Sequence, residues 1–144
     1  LSQRIIDGAP DAYFASLPVN AMVAAMNQAE IPAAVSYTAG TYVCNDVMYQ
    51  VLHALATRFP ETRGTFLHVP FATEQVVEKN AAAAEKADTG EKGFAAGEKA
   101  GTGEKTRQVP SMSLEMMTRG LQVALEAALA NDVDLADYES GTTC

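Results

Sequence analysis

The apolar residues of this chain alternate between helical spacing and short strand-like runs, and this alternation constrains the fold most. Helical spacing predicts one helix over residues 18–30 and another over residues 44–58. Short apolar runs predict strands over residues 31–37 and 64–69. With a further helix near the C-terminus, this order is typical of an α/β layered fold with a parallel sheet.

The predicted helices carry apolar stripes that identify a candidate core. The third helix is capped by Ser113 or, alternatively, by Ser111. An amphipathic helix buries such a stripe against its neighbours. The stripe residues are Ala21, Met22, Ala25, Met26 and Ala29 in the first helix, Val43, Val47, Met48, Val51, Leu52 and Leu55 in the second, and Met117, Leu121, Ala124, Leu125 and Ala128 in the third.

Composition excludes several classes of protein. The chain has 144 residues, enough for one domain with a sizeable core. Its net charge of −8 argues against nucleic acid or an anionic membrane surface as a partner. No apolar run approaches the roughly 20 residues of a membrane span, and no metal-ligand spacing occurs. The two cysteines fit a reducing compartment, so we expect a cytoplasmic protein.

Two segments are expected to lie outside the core of a single domain spanning residues 1–144. Residues 78–107 repeat Glu-Lys among small and polar residues, which predicts a flexible low-complexity insertion rather than a partner-binding arm. The acidic stretch 132–144 predicts a solvated tail that ends at an exposed Cys144. Because the chain starts at Leu1 in loop-like sequence, we expect the domain to be incomplete at its N-terminus.

Cys44 lies where an apolar run turns into the second predicted helix, and Gly40 supplies the turn. The positive end of a helix dipole and the unpaired N–H groups of a first turn favour the thiolate that a nucleophilic cysteine needs. From position alone, Cys44 is also open to interpretation as a small buried hydrophobic residue, the commoner role of a free cysteine.

Two histidines accompany this cysteine. His68 follows Phe66 and Leu67 on the second predicted strand, a pattern that on its own is more typical of a core histidine than of a catalytic base. His53 falls among apolar residues of the second helix and is interpreted as structural, on the outer face. A cysteine with a histidine elsewhere in the chain is only a candidate pair at this point.

Several blocks of the sequence, taken in order, point to one family. They are Gly8-Ala-Pro-Asp-Ala-Tyr-Phe14, Leu17-Pro18, Ile31-Pro-Ala-Ala-Val-Ser-Tyr-Thr-Ala-Gly-Thr-Tyr-Val-Cys-Asn45 preceded by Glu30 at a glycine-like position, Met48-Tyr49, Gly64-Thr-Phe-Leu-His-Val-Pro70, Glu74-Gln75 and Pro110-Ser-Met-Ser-Leu-Glu115. Together they resemble the pyroglutamyl peptidase I family of cysteine peptidases, also called pyrrolidone-carboxylate peptidases. The resemblance covers most of the chain outside the insertion and the tail, and two blocks surround Cys44 and His68.

The resemblance implies a three-layer α/β/α sandwich with a mostly parallel, mixed central sheet. It also implies an enzyme that removes the N-terminal pyroglutamyl residue from peptides with a Cys-His-Glu triad and no cofactor. Carried over by motif, Cys44 is the nucleophile, His68 is the general base, and Tyr42 and Val43 contact the pyroglutamyl ring. The triad glutamate of the family lies in a block upstream of Gly8. A homo-oligomer is implied as well, since family members are often tetramers.

The chain departs from the family pattern at three points, and two rival functions stay open. Tyr42 stands where many members have Phe, Asp46 stands where relatives often have a bulkier or basic residue, and segment 78–107 is longer than the usual connection. The rivals are a non-catalytic fragment or pseudoenzyme of the same fold, and a different Cys-His amidohydrolase.

Deleting residues 85–104 should change the free energy of unfolding by less than about 1 kcal/mol, because removing a flexible loop alters mainly the entropy of loop closure. Urea denaturation of the deletion variant and the parent chain measures this difference. A loss of several kcal/mol would contradict the interpretation, since it would mean that the segment packs against the domain.

Overall fold

A computed structural model of the chain describes residues 4–78, 110–136 and 138. The elements in this part, in chain order, are α1 (Val19–Gln28), α2 (Val43–Arg58), β1 (Phe71–Ala72), β2 (Ser111–Met112) and α3 (Leu114–Ala130). Residues 73–78 are also helical. The described residues form two compact units. One unit contains the described residues up to His68 and those from Thr118 onward, and the other contains the described residues between Val69 and Met117.

The unit that holds α1 and α2 has a core built around a methionine and two alanines. Met22 of α1 packs against Ala124 and Ala128 of α3, and Ala124 is fully buried. Side chains four residues apart lie on the same face of a helix, so the two alanines form one surface. Small side chains on α3 therefore leave space that the long side chain of Met22 fills.

Gly120 extends this small-residue face by one further turn. A Cβ added at Gly120 would lie 3.1 Å from the Met26 side chain and 3.3 Å from that of Ile31. Both distances are shorter than ordinary van der Waals contact, so a larger residue requires its neighbours to move. The glycine is thus used for close approach, since Gly inside a helix is otherwise destabilising.

The N-terminus of α1 is capped from a distant part of the chain. Pro18 precedes α1 and provides no side-chain acceptor, so the N–H groups of the first turn need another partner. The half-buried Asp134 carboxylate accepts hydrogen bonds from the backbone N–H groups of Asn20 (3.1 Å) and Ala21 (3.0 Å). The prediction that Asp134 belongs to a solvated tail is wrong, because the positive end of the helix and its free donors attract the carboxylate.

The C-terminus of α1 forms a Schellman motif. The N–H of Ile31 donates to the carbonyl of Met26 (2.9 Å), and the N–H of Glu30 donates to the carbonyl of Asn27 (3.1 Å). Glu30 has φ = 61°, in the left-handed region that favours glycine. This backbone conformation is the physical reason why the position is glycine-like.

Both ends of α3 are also satisfied by side chains. Of the two predicted caps, Ser113 is the observed one, since its Oγ accepts a hydrogen bond from the N–H of Met116 (3.2 Å). At the other end, the Arg63 guanidinium donates to the carbonyls of Ala128 (3.1 Å) and Asn131 (3.0 Å). A cation at a helix C-terminus is favoured by the dipole as well as by these hydrogen bonds.

The second unit contains the strand pair. β1 and β2 run parallel, with Phe71 opposite Ser111 and Ala72 opposite Met112. The predicted strands over residues 31–37 and 64–69 are wrong, because neither segment forms a strand in the described part of the chain. A strand requires a ladder of hydrogen bonds to a neighbouring strand, and apolar spacing does not supply that neighbour.

The predicted stripes of α2 and α3 are buried only in part. In α2, Leu52 is buried, and in α3 the buried face consists of Gly120, Ala124 and Ala128. A surface helix buries the face that another element covers, whatever the full width of its apolar stripe. The stripe residues that are exposed are Val43, Val47, Val51, Leu121 and Leu125.

Parts of two expectations fall outside the described residues. These are residues 79–107 of the predicted insertion, together with residue 137 and residues 139–144 of the predicted tail. Within the described residues, no helix combines the length and the apolar character that crossing a membrane requires.

Replacing Asp134 by alanine should lower the free energy of unfolding by about 1–2 kcal/mol, because two N–H groups of α1 lose their acceptor and the helix dipole loses its anion. Urea denaturation of the parent and the variant measures the effect. The matched control is Asp132→Ala, an equal change of charge at a fully exposed side chain 3.8 Å from Arg63, which should cost much less because exposed ion pairs contribute little to stability. Equal losses in the two variants would contradict the capping role of Asp134.

Replacing Glu30 by glycine should raise the free energy of unfolding by about 0.5–1 kcal/mol. The left-handed conformation costs a non-glycine residue about 1–2 kcal/mol, and the greater freedom of glycine in the unfolded chain offsets part of the gain. The midpoint of urea denaturation reports the change. Glu30→Ala removes the charge but keeps the Cβ, so it should give no such gain; equal stabilisation by both variants would assign the effect to charge instead.

Candidate active site

A tight turn delivers the chain to the start of α2. Gly40 has φ = 80°, which confirms the predicted turn. Its N–H donates to Oγ1 of Thr38 (3.0 Å), and the carbonyl of Thr38 accepts a hydrogen bond from the Ser36 hydroxyl (2.8 Å). These bonds fix the path of the chain just before Cys44, the second residue of α2.

The first turn of α2 leaves backbone donors beside the thiol. Tyr42 is the N-cap residue with an extended backbone, and its carbonyl accepts hydrogen bonds from the N–H groups of Asn45 (3.0 Å) and Asp46 (3.2 Å). Within the described residues, the N–H groups of Val43 and Cys44 have no acceptor. Such a helix start is suited to hold negative charge.

Cys44 and the two residues before it are accessible from solvent. Cys44 is half-buried, so the interpretation as a small buried hydrophobic residue is wrong. Tyr42 and Val43 are 84% and 74% exposed. The side chains predicted to contact a substrate therefore flank the candidate nucleophile on an open surface.

His68 lies in an irregular segment rather than on a strand, and its side chain is exposed. The interpretation as a buried core histidine is therefore wrong. The segment is anchored at its start, where Gly64 accepts a hydrogen bond from the N–H of Ser16 (2.9 Å). Among the residues that the structure describes, neither Cys44 nor His68 has a side-chain hydrogen bond or an ion pair, so no hydrogen bond joins the two side chains.

His53 belongs to an aromatic cluster on the inner side of α2 rather than on its outer face. Its Nδ1 is 2.8 Å from the hydroxyl oxygen of Tyr13, and the two rings meet edge to face at 5.8 Å. The ring of Tyr13 also meets that of Tyr49 edge to face at 5.1 Å. Sequence reasoning missed this cluster, although the four-residue spacing of Tyr49 and His53 places them on one helix face.

A cavity of about 330 Å³ opens beside the first two turns of α2. Asn45, Met48 and Tyr49 of α2 form one wall, and residues from Arg4 to Tyr13 form the other. Its size falls within the range of about 300–1,000 Å³ that is typical of ligand pockets. Nothing in the sequence indicated this cavity, because its walls lie far apart along the chain.

Three polar side chains of the cavity wall, those of Arg4, Asp11 and Tyr49, already have partners. The Arg4 guanidinium lies 3.1 Å from the Asp11 carboxylate and donates to the carbonyl of Ala9 (3.2 Å). The Tyr49 hydroxyl donates to the carbonyl of Pro10. Desolvation, and then the neighbouring Tyr13, raise the pKa of Tyr49 above its ordinary value, so this phenol stays protonated at neutral pH. Within the described part of the chain, no cluster of His, Cys, Asp and Glu could hold a metal ion.

Comparisons with known proteins give matches to a single family. The family model described as pyroglutamyl peptidase matches residues 1–100. A pyrrolidone-carboxylate peptidase of Thermococcus onnurineus is 60% identical over 77 residues, which are 54% of this chain and 38% of that protein. A pyrrolidone-carboxylate peptidase of Enterococcus faecalis is 37% identical over 139 residues, 96% of this chain and 52% of its own length.

A solved structure extends the likeness to the fold. The crystal structure of pyroglutamyl peptidase I from Bacillus amyloliquefaciens superposes with a TM-score of 0.71 at 29% identity, over 95% of this chain and 52% of that one. With the helices and the parallel strand pair, this confirms the predicted α/β fold class. The chain thus spans about half the length of the Enterococcus relative and of this solved structure. With most of its residues matched by the family model, the chain belongs to the pyroglutamyl peptidase family.

Proposed function

We propose that the protein is a cysteine peptidase that removes an N-terminal pyroglutamyl residue from peptides, with Cys44 as the nucleophile. The observation that carries this proposal is the position of Cys44, a half-buried cysteine at the start of α2 beside two backbone N–H groups that have no acceptor among the described residues. The family match includes both Cys44 and His68. Peptides are the substrate class that the names of the relatives support.

In the proposed first step, His68 takes the proton of the Cys44 thiol, and the thiolate attacks the carbonyl carbon of the pyroglutamyl residue. The carbonyl oxygen becomes negatively charged in this transition state. The N–H groups of Val43 and Cys44 are suited to stabilise it, and one such donor is typically worth about 2.7–4 kcal/mol. The step requires the His68 imidazole to come within about 3 Å of the thiol.

In the proposed second step, the carbon–nitrogen bond breaks, and His68 returns its proton to the departing amine. The pyroglutamyl group is then held as a thioester on Cys44. Water, deprotonated by His68, attacks the thioester and releases pyroglutamate with the free thiol. The sum is hydrolysis of one amide bond, which consumes one water and no cofactor.

Tyr42 and Val43 are proposed to contact the pyroglutamyl ring. This ring carries no charge and no free amine, so apolar contacts with a few backbone hydrogen bonds suit it. The exposure of both side chains beside the thiol supports this assignment. We also propose a cytoplasmic, homo-oligomeric enzyme; the low cysteine content supports the first point and the family resemblance the second.

The test is turnover of a pyroglutamyl amide by the full-length gene product. Cys44→Ala and His68→Ala should each lower kcat/KM by about a thousandfold or more, because each removes a group that acts in bond formation. Liberated amine, followed by fluorescence, measures the rate. An alanyl amide of the same amine should not be hydrolysed.

The chain offers matched controls for both variants. Cys144→Ala removes the other cysteine, and His53→Gln removes the other histidine while keeping a polar partner for Tyr13. Both should retain most of the activity. A folded full-length protein without turnover would support a pseudoenzyme, and hydrolysis of amides without a pyroglutamyl group would support a different amidohydrolase; either result contradicts the proposal.

A further inference from the structure

The residues of α2 that line the cavity are close in sequence to the candidate nucleophile, Cys44. Cys44 directly precedes Asn45 and lies one turn before Met48, and both of these residues line the cavity. Side chains at positions i and i+4 lie on the same face of a helix, and they lean towards its N-terminus. Cys44 is therefore at the N-terminal rim of the cavity wall formed by α2.

Cys44 also separates this cavity from the open apolar side of α2. Successive helical residues are rotated by about 100°, so Val43, Val47 and Val51 lie on one side of Cys44 and Met48 lies on the other. The three valines are exposed, whereas Met48 is half-buried at the cavity. An acyl group held on the side of Val43 would leave the cavity for the other half of the substrate.

The wall of the cavity suits an uncharged side chain. Arg4 and Asp11 neutralise each other, and the Tyr49 hydroxyl is already bonded to a backbone carbonyl. The two charges among the lining residues cancel, so the wall offers a charged ligand no net attraction. Apolar and aromatic surface remains, contributed by Ile5 and by the rings of Tyr13 and Tyr49. A flat apolar ring can meet such rings edge to face.

We infer that this cavity binds the side chain of the residue that follows pyroglutamate in the substrate, and that it favours an uncharged aromatic side chain there. The inference rests on the proposed function of Cys44. It makes the cavity a specificity site for the departing peptide, separate from the contacts of Tyr42 and Val43 with the pyroglutamyl ring. Residues of the cavity wall affect which peptides are cleaved and take no part in the bond-breaking step.

The experiment compares kcat/KM for pyroglutamyl-phenylalanine amide, pyroglutamyl-glycine amide and pyroglutamyl-aspartate amide with the full-length gene product. The phenylalanine substrate should be preferred over either of the others by about tenfold or more, the scale on which apolar pockets discriminate. Ala12→Phe fills the cavity from an exposed position of its wall and should bring the phenylalanine-to-glycine ratio close to one. The matched control, Ala56→Phe, adds the same ring at an exposed position of α2 outside the cavity wall and should leave the ratio unchanged.

The outcomes separate the inference from the proposed function. If no pyroglutamyl substrate is cleaved in a way that depends on Cys44, the proposed function fails and the inference fails with it. If all three substrates are cleaved with similar kcat/KM, or if Ala12→Phe leaves the ratio unchanged, the inference is overturned and the proposed function stands. Ile5→Ser provides a second variant in case Ala12→Phe does not fold, and it should lower the ratio severalfold by removing apolar wall surface.

Discussion

The contact of Met22 with the small-residue face of α3 is the constraint on which the larger unit depends. Ala124 is fully buried there, and the side chains of Met26 and Ile31 leave too little room for a Cβ at Gly120. Interiors are closely packed, so the sizes of these residues fix how near the neighbouring side chains approach. This contact joins residues that lie about 100 positions apart in the sequence, and it holds α1 and the part of α3 after Met117 in one unit.

Side chains from distant positions in the sequence satisfy the free backbone groups at the ends of the helices in that core. Asp134 supplies acceptors at the start of α1, and Arg63 supplies donors at the end of α3. Both interactions place a charge where the helix dipole favours it. Residues outside the helices are thereby held against the core. Asp134 is hydrogen-bonded to α1, although the acidic composition around it predicts a solvated tail.

The chemistry of the site follows from how α2 begins. The turn at Gly40 and the extended backbone of Tyr42 place Cys44 in the first turn, where two backbone N–H groups have no acceptor in the part of the chain that the structure describes. One side of this helix is an open valine surface, and the other side borders the cavity. In the proposed function, Cys44 at that boundary has the two halves of the cleaved peptide on different sides of it.

Local signals in the sequence determined the helices, the Ser113 cap, the turn at Gly40 and the position of Cys44, because each depends on residues within a few positions of one another. The family blocks determined the identity of the candidate catalytic pair. Tertiary structure alone decided that residues 31–37 and 64–69 are not strands here, since a strand depends on a neighbour. It also decided the cap by Asp134 and the cavity beside α2, because both arise from contacts between segments that lie far apart in the chain. The exposure of His68 was likewise decided by tertiary structure, since no other segment covers its side chain among the described residues.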